Sequence, residues 1–454
     1  MDILLALGVS ALLLIATALR GSWVLYPLLL TVVLFFGLYW RRGFAPKSLV
    51  EMMKAGVQKA SGVMSILLLI GALMAAWMAA GTVPALVYYG LMLIQPKLFV
   101  ASAFGLTALV SVLIGTSFGA AGTIGLALMI MARGSGLDPH LVAGAIIAGA
   151  YVGDRCSPMS SSAHLVVTLT RTRLYRNLQA MFLTSLVPLL ASLGIYWILS
   201  WRNPLETANN SIQPMIQDAF NLHPVTLLPA IAILLFVVLQ VPVKRTMLLS
   251  LGLAFVLSLG LQSYSLAEVA QFLVVGFHIE SPAELTSLLK GGGLLSMAKV
   301  CLVVVVSTAL AGLLAGTQTF SWLEQWLGRL PPGRPLFLGT ILVSILAAAY
   351  GCTQTIAILL TQQLTEPHYT RTHLSADQAS LDLENTAVVL SPLVPWNIAG
   401  LVPATILATD AGFVPYAFYL YLIPLLNLIQ RNSPRGGSQL YRDTYRDPFA
   451  QDPL

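Results

Sequence analysis

Long apolar runs, each closed by charged or glycine-rich punctuation, follow one another along almost the whole chain. A helix rises about 1.5 Å per residue, so each such run can cross a hydrocarbon layer about 30 Å thick. The pattern predicts spans near 3 to 19, 22 to 40 and 62 to 81, a shorter apolar segment at 84 to 95, and a span from 98 that runs into GTSFGAAGTIG at 115 to 125. Further spans are expected at 177 to 200, 224 to 242 and 246 to 262. The first run ends in Ala16-Thr17-Ala18, which has the form of a leader cleavage site, but Asp2 stands where a leader carries basic residues, and a second span follows at once. It is read as a span, and the pattern leaves no room for a sizeable soluble domain.

Charge orients these spans. Arg41, Arg42, Lys47, Lys54 and Lys59 face a single acid, Glu51, which places 41 to 59 in the cytoplasm together with the N-terminus. Within that segment Leu49, Met52, Met53, Val57 and Ala60 recur at helical spacing, predicting an amphipathic helix on the membrane surface. Arg171, Arg173 and Arg176 mark a second cytoplasmic return, whereas 202 to 222, with Glu206, Asp218 and one Arg202, reads as a non-cytoplasmic linker. The corresponding segment of the second half, Leu266 to Glu284, contains Glu268, Glu280 and Glu284 and no Lys or Arg. Opposite charge bias in matching segments is what an inverted-topology repeat predicts.

Short echoes point the same way. Ala80-Gly81-Thr82 returns as Ala315-Gly316-Thr317, Leu109-Val110-Ser111 as Leu342-Val343-Ser344, and Ser157-Pro158 as Ser391-Pro392, at an almost constant offset in the numbering. The expected architecture is an all-α polytopic membrane protein of two inverted repeats with broken or re-entrant helices, roughly 10–13 membrane helices in all. Its expected parts are residues 1–201, the linker 202–222, residues 223–430 and a polar cytoplasmic tail 431–454.

Composition agrees: 57% of the 454 residues are hydrophobic and 9% charged, against about 25% charged in soluble domains. The net charge of +6 fits basic cytoplasmic loops and calls for no nucleic acid. Cys156, Cys301 and Cys352 lack CxxC spacing and read as reduced packing residues.

Against this hydrocarbon the polar segments stand out, because polar groups at bilayer depth are costly unless they face a protein interior or a water-filled cavity. The first is GAYVGDRCSPMSSSAH, Gly149 to His164; the second half carries LDLENTAVVLSPLVPWNIAG at 381 to 400. Each half also has a small-residue break, GTSFGAAGTIG in the first and AYGCTQTIA at 349 to 357 in the second. Gly115, Gly119, Gly122, Pro158, Gly351, Pro392 and Pro395 are the expected helix-breaking positions. Hydroxyls, freed carbonyls and carboxylates make an oxygen cage suited to a hard cation such as sodium. A carboxylate in such a cage also takes a proton, so Na+ and H+ can compete for it.

Plainer roles stand beside these. Asp154 and Arg155 also fit a structural ion pair, Ser160-Ser161-Ser162 a capping run, and His164 a satisfied structural histidine. Asp382 is expected to be a solvated acid, like Arg371, His373 and Asp377 nearby. His368, His373 and Glu366 lack the further ligands zinc would need. No Walker A, GxSxG or HExxH motif occurs, so ATP-driven transport and standard hydrolase chemistry have no support, and the chain does not read as an enzyme.

At these motifs the chain resembles the NhaC family of sodium/proton antiporters within the ion-transporter superfamily. GTSFGAAGTIG is similar to the family's GTSWGTVGTIG, AGAIIAGAYVGDRCSPMS to AGAIISGAYFGDKMSPLS, and LEN followed by LSPLVPWN to LED followed by TSPLIPWN. The resemblance runs from about residue 60 to 430, in both halves and in order. It implies a secondary transporter of the bacterial inner membrane with a central site shared by the halves, while the basic segments place both termini in the cytoplasm. Carried over by position, Thr116, Ser117, Thr123, Asp154, Ser157 and Ser160 come from the first half and Glu384, Ser391 and Asn397 from the second, with sodium held at Asp154, Thr116 and Ser157. The chain departs from the pattern where SPLSDTTN becomes SPMSSSAH, which puts Ser161 in place of an acid and His164 in place of an asparagine, and where the LED acid becomes Asn385. Ser161, His164 and Asn385 therefore join the candidate ion- and substrate-binding positions.

The reading is alternating-access exchange of Na+ for H+ with Asp154 as carrier and no cofactor beyond the transported ions. The alternative keeps the fold and makes it a sodium- or proton-coupled carrier of a small organic acid or amino acid, which a less acidic, serine-rich pocket would suit. A channel or a non-transporting scaffold is disfavoured, since inverted repeats with broken helices are a transporter signature. Expected partners are the lipid bilayer, Na+, H+ and such a solute, with a homodimer compatible with the pattern.

Overall fold

The computed structural model describes residues 2–20, 23–59, 61–93, 96–134, 136–204, 212–239, 241, 243–278 and 291–431. Glu206, Glu280, Glu284 and the tail beyond Arg431 lie outside the described residues. The described chain is helical, with one isolated antiparallel bridge between Phe277 and Gly291. Three described helices are long and apolar enough to cross a membrane unaided: Leu174–Arg202, Leu294–Gly316 and Arg334–Gly351. The pair Ala376–Leu393 and Ile398–Ile406, bent by 51° at its break, is apolar enough when taken together and forms a broken span or a re-entrant loop. The other apolar runs form shorter helices such as Leu25–Arg41 and Phe418–Gln430. The protein is an all-α polytopic membrane protein.

The two halves exchange equivalent elements. In the first half, Leu25–Arg41 and Pro46–Lys59 pack on Leu294–Gly316 of the second; in the second, Val243–Gly260 and Leu266–Val275 pack on Ser61–Ala79 of the first. Glycine makes both crossings close. A Cβ on Gly56 would come within 2.1 Å of the Thr308 carbonyl, and one on Gly71 within 2.6 Å of the Gly293 carbonyl. Gly56 and Gly293 stand as far apart in the chain as Gly71 and Thr308, so one contact is the other with the roles of the halves exchanged. The amphipathic helix expected in 41 to 59 is the helix Pro46–Lys59, which rests its glycine on the C-terminal half of Leu294–Gly316.

The backbone keeps the same register. Left-handed residues pair as Gly81 with Gln318, Gly115 with Cys352, Gly136 with His373, and Arg171 with Ala408, all at one constant offset that is also the offset of the glycine contacts. The tripeptide echoes fall short of this structural register by two to four positions: Gly81 answers to Gln318, not Gly316. The turn fixes the register through φ, and φ is visible in sequence only where the chain happens to use glycine.

Two expected break positions are corrected here. The chain breaks at Gly115, whose φ of +73° ends Phe99–Ile114, while Gly119 and Gly122 continue the next helix, Gly122 within a wider π-helical turn at Ala121–Gly125. Of the three glycines only Gly115 takes a left-handed φ, and the extended Thr116 follows it, whereas Gly119 and Gly122 keep helical backbone. Gly351 ends its helix with Cys352 in the left-handed position, and Pro158, Pro392 and Pro395 lie in or beside the second pair of breaks.

The site rests on the crossing of Phe99–Ile114 and Pro139–Cys156. Gly149 and Gly153 let these backbones touch; a Cβ on Gly153 would stand 2.0 Å from the Ser111 carbonyl carbon. Small residues four apart on one face permit such close approach in membranes. Gly153→Ala is accordingly expected to lower stability by about 1–3 kcal/mol through overpacking against unyielding backbone. Thermal unfolding of the purified protein checks this, and an unchanged midpoint would contradict it.

Candidate functional site

Each half contributes an interrupted helix with the same local geometry. In the first, Gly115 is left-handed, Thr116 is extended, and the helix resumes at Ser117. In the second, Cys352 is left-handed, Thr353 is extended, and the helix Gln354–Arg371 follows. A restarting helix presents unsatisfied backbone N–H groups and the positive end of its dipole. Both restarts converge on Asp154, which is 4% exposed near the end of Pro139–Cys156.

Asp154 Oδ1 accepts from the Ser117 N–H at 3.3 Å, and Oδ2 accepts from Gln354 Nε2 at 2.8 Å and from the Ser162 hydroxyl at 3.4 Å. Gln354 Nε2 also donates to the Val388 carbonyl at 3.2 Å, tying both interrupted segments of the second half to this acid. The Asp154 carbonyl accepts from the hydroxyls of Ser160 and Ser162, which lie 2.8 Å apart. Ser160 additionally caps the helix Ser161–Thr170, accepting from Ala163 N. Among the described residues no cation is ion-paired to Asp154.

Arg155, next in sequence, turns elsewhere. It donates to the Met181 carbonyl at 3.0 Å and to Thr184 at 2.9 Å, and also to the Ser185 hydroxyl and Asn385 Oδ1. The Asp154–Arg155 ion pair that the sequence allowed is thus not formed; Arg155 instead joins the helix Leu174–Arg202 to the second half. Glu384 is fully buried in the wide turn Glu384–Val388 and neither of its oxygens has a hydrogen-bond partner.

The remaining candidates fall into three groups. Ser157 and Ser160 lie in the buried turn after Asp154, where the Ser157 hydroxyl accepts from Met159 N at 3.1 Å. Thr116 sits at the break itself, next to the Asp154 partner Ser117. Thr123, Ser391 and Asn397 spend their side chains on backbone: Thr123 on the Gly119 carbonyl at 2.7 Å, Ser391 on the Ala387 carbonyl at 2.6 Å, and Asn397 on the Ala348 carbonyl at 2.7 Å. Trp396 donates to the Ala349 carbonyl at 2.6 Å, and with Asn397 it binds the last turn before the break, where the Ala348 carbonyl also accepts from the Cys352 N–H at 3.2 Å. Ser161 and His164 are exposed, and His164 Nε2 reaches the Pro158 carbonyl at 3.0 Å.

Sequence reasoning missed Gln354 and the Thr184–Ser185 pair, and weighed Ser162 only as part of a capping run. Gln354 was within reach, because it stands next to the second break as Ser117 stands next to the first. Asp382 corrects an expectation: it is 1% exposed rather than solvated, and it accepts from Tyr369, from Gln378 at 2.8 Å and from Arg431. Arg431 also lies 4.1 Å over the ring of Phe337, so the residue that ends Phe418–Gln430 buries an acid far from it in the chain.

The oxygen-rich surroundings of Asp154, carboxylate and two serine hydroxyls, fit a hard monovalent cation as cargo. Among the described residues no group of three or more His, Cys, Asp and Glu side chains is placed to hold a resident metal. Comparison with known proteins settles the family. The model of the Na+/H+ antiporter family matches residues 1–172 and 149–429.

The chain belongs to the Na+/H+ antiporter family. It is similar to the Na(+)/H(+) antiporter NhaC of Alkalihalophilus pseudofirmus, 28% identical over 88% of this chain and 87% of the relative. It is also similar to the Malate-2H(+)/Na(+)-lactate antiporter of Bacillus subtilis, 27% identical over 84% and 83%, and to the Arginine/ornithine antiporter ArcD of Halobacterium salinarum, 28% identical over 81% and 78%. Membership of the Na+/H+ antiporter family makes the protein a multi-pass membrane transporter and not an enzyme, with Na+ and H+ as the ions the family implies.

Proposed function

We propose that the protein exchanges Na+ for H+ by alternating access, with Asp154 as the group that the two ions occupy in turn. The observation that carries this is a buried carboxylate held between the first turns of two interrupted helices, one from each half, with no ion pair among the described residues to offset its charge. Hydrogen bonds and helix ends stabilise the charge only in part, so an ionised Asp154 calls for a mobile cation. Sodium supplies it with Ser160, Ser162, Ser157 and Thr116 as further oxygen ligands; a proton supplies it by forming an O–H bond on the carboxylate. Because Asp154 is held by Ser117 of the first half and Gln354 of the second, rocking one half against the other opens the same site to either side.

The repeat limits expected from sequence, 1–201 and 223–430 around the linker 202–222, are part of this proposal, supported by the common register of the left-handed turns. So are the bacterial inner membrane as location and the cytoplasmic placement of both termini, supported by the basic segment 41 to 59. A second reading has support of its own: two relatives of equal similarity are named for organic solutes, and Ser161 and Asn385 replace family acids. In that reading Asp154 couples a small organic acid or amino acid to the ion.

Reconstituted vesicles with a trapped pH dye separate these. Exchange predicts that a sodium pulse alone moves protons. A pH change that appears only after malate, lactate, arginine or ornithine is added favours the second reading, and silence to all of them overturns both.

A further inference from the structure

The helix Gln354–Arg371, which leads away from Asp154 in the second half, carries a polar face that its counterpart in the first half lacks. Gln354, a donor to Asp154, is followed at seven-residue intervals by Thr361 and His368, so the three side chains leave the helix in nearly one direction. Thr361 is fully buried and His368 is 5% exposed, yet neither the Thr361 hydroxyl nor either His368 ring nitrogen has a partner. Thr365 shows the ordinary alternative, its hydroxyl donating to the Thr361 carbonyl at 2.7 Å. The register of the left-handed turns sets Ser117 against Gln354, Ile124 against Thr361, Leu128 against Thr365 and Met131 against His368. Both helices grip the same carboxylate, but beyond the first turn one is hydrocarbon where the other is polar.

Buried polar atoms are nearly always paired, so unpaired ones in a row mark places for a small hydrogen-bonding partner such as water. From Gln354 to His368 the helix rises about 21 Å, enough to lead from the level of Asp154 to a membrane surface. That end is rich in arginine: Arg371 lies against Gly328, Arg176 pairs with Asp377, and Arg334 donates to the Ile429 carbonyl at 2.6 Å, which makes it the cytoplasmic end. An imidazole takes a proton on one nitrogen and gives one up from the other, and a threonine hydroxyl both donates and accepts. One hydroxyl and one imidazole can pass protons through water but offer sodium no cage of oxygens. We propose that protons travel between Asp154 and the cytoplasm along this face, with His368 as the proton-exchanging group at its outer end and Thr361 holding water between.

The proposal rests on the antiport reading. In the step itself the O–H bond of protonated Asp154 breaks, the proton passes by exchange of O–H bonds through water at Thr361, and an N–H bond forms on His368. The N–H bond of the other ring nitrogen then breaks toward cytoplasmic water, with no change of oxidation state. Uptake runs the same bonds in reverse. Ile124, Leu128 and Met131 offer no such groups, so the route serves the cytoplasmic face alone.

The other ionisable groups on this helix and on the elements packed against it have different engagements. Glu366 accepts from Gln362 at 2.7 Å, and Tyr369 and Asp382 are bonded to one another, Asp382 also to Arg431. Tyr350, on Arg334–Gly351, donates to the Leu7 carbonyl, and Asp377, on Ala376–Leu383, pairs with Arg176. Glu324, on Ser321–Leu327, and His164, on Ser161–Thr170, are exposed. Glu384 lies in the wide turn after Leu383, beside Arg155. His368 is thus the titratable group in line with Thr361 and Gln354.

The test is sodium-driven proton flux in vesicles of one orientation, with imidazole supplied on the cytoplasmic side. His368→Gln is expected to slow the flux about 100-fold, the low end for a positioned proton-transfer group, while sodium still stabilises the protein against heat as it does wild type. Cytoplasmic imidazole is expected to restore much of the rate, which it would not do for a side chain that only packs. In parallel, Thr361→Cys is expected to react with a membrane-impermeant methanethiosulfonate from the cytoplasmic side, while the buried Cys352 of the same protein does not, as read by mass spectrometry. Should His368→Gln not fold, Thr361→Val, which keeps the shape and loses the hydroxyl, is expected to slow the flux. A His368→Gln protein at the wild-type rate, a slow one that imidazole does not restore, or a Thr361→Cys thiol that stays unreacted overturns the route and leaves the antiport reading standing. Wild type with no sodium-driven proton flux overturns the antiport reading and this proposal with it.

Discussion

Asp154→Asn is expected to abolish sodium-driven proton movement while leaving the protein folded. Asparagine fills the space of aspartate and keeps an oxygen for the Ser117 N–H, and Gln354 can turn its amide so that Oε1 accepts from the new Nδ2, which keeps the two interrupted helices together. What disappears is the charge. Without it, Ser160 and Ser162 offer only neutral oxygens, too weak to strip water from sodium, and no group remains to take a proton. Loss of a mere outer partner of a metal site costs roughly 10- to 100-fold, and removal of the charged ligand should exceed that. Flux in reconstituted vesicles is the measurement, and a variant transporting at the wild-type rate would remove Asp154 from the mechanism.

The second large effect is expected at Arg155, and it is one of stability. Arg155→Met keeps an apolar stem but deletes the guanidinium that joins Met181, Thr184 and Ser185 to Asn385. Those groups lose their donor inside the protein, and Glu384 loses the nearest positive charge. Breaking a buried charged cluster from one side costs about 3–5 kcal/mol, a large share of the margin by which proteins stay folded. The expected result is a steep fall in melting temperature and in monodisperse protein after extraction. Arg155→Lys, which restores the residue of the NhaC pattern, should recover much of the loss because it keeps the charge, though it has fewer donors and no planar fork. An Arg155→Met protein as stable as wild type would show that this cluster does not hold the halves together.

These two neighbours also show what a sequence exposes and what it conceals. The place of Asp154 in a polar centre was legible, because a carboxylate in a run of hydrocarbon is too costly to face lipid. The spans were legible for the same reason, as was the break at 115, where glycine supplies a left-handed turn. Its counterpart was marked one residue early, at Gly351, because a non-glycine residue, Cys352, takes the left-handed conformation at φ +53°. Hence the tripeptide echoes point to a register a few positions short of the one the backbone keeps. Arg155 looked like a partner for Asp154 because the two are adjacent, but adjacent residues on a helix point in different directions. Asp382 seemed wet beside charged neighbours and is buried by Arg431, a contact no local window contains. Gln354 was passed over because a neutral amide carries no charge signal; its importance comes only from the carboxylate it faces.

The departures at Ser161 and Asn385 acquire a structural meaning as well. Ser161 is exposed, so an acid lost there leaves the buried cluster intact. Asn385 receives a hydrogen bond from Arg155, so an acid lost there leaves Arg155 free to balance Glu384. The charge available to a sodium ion at Asp154 is thus undiminished by either change.

Competition of the two ions for one carboxylate is measured most directly on purified protein in weak buffer, by following proton release with a pH dye as sodium is added. The account predicts that sodium, and not choline, displaces protons from wild type and that Asp154→Asn releases none. Sodium binding, seen as thermal stabilisation of wild type, without proton release would contradict it.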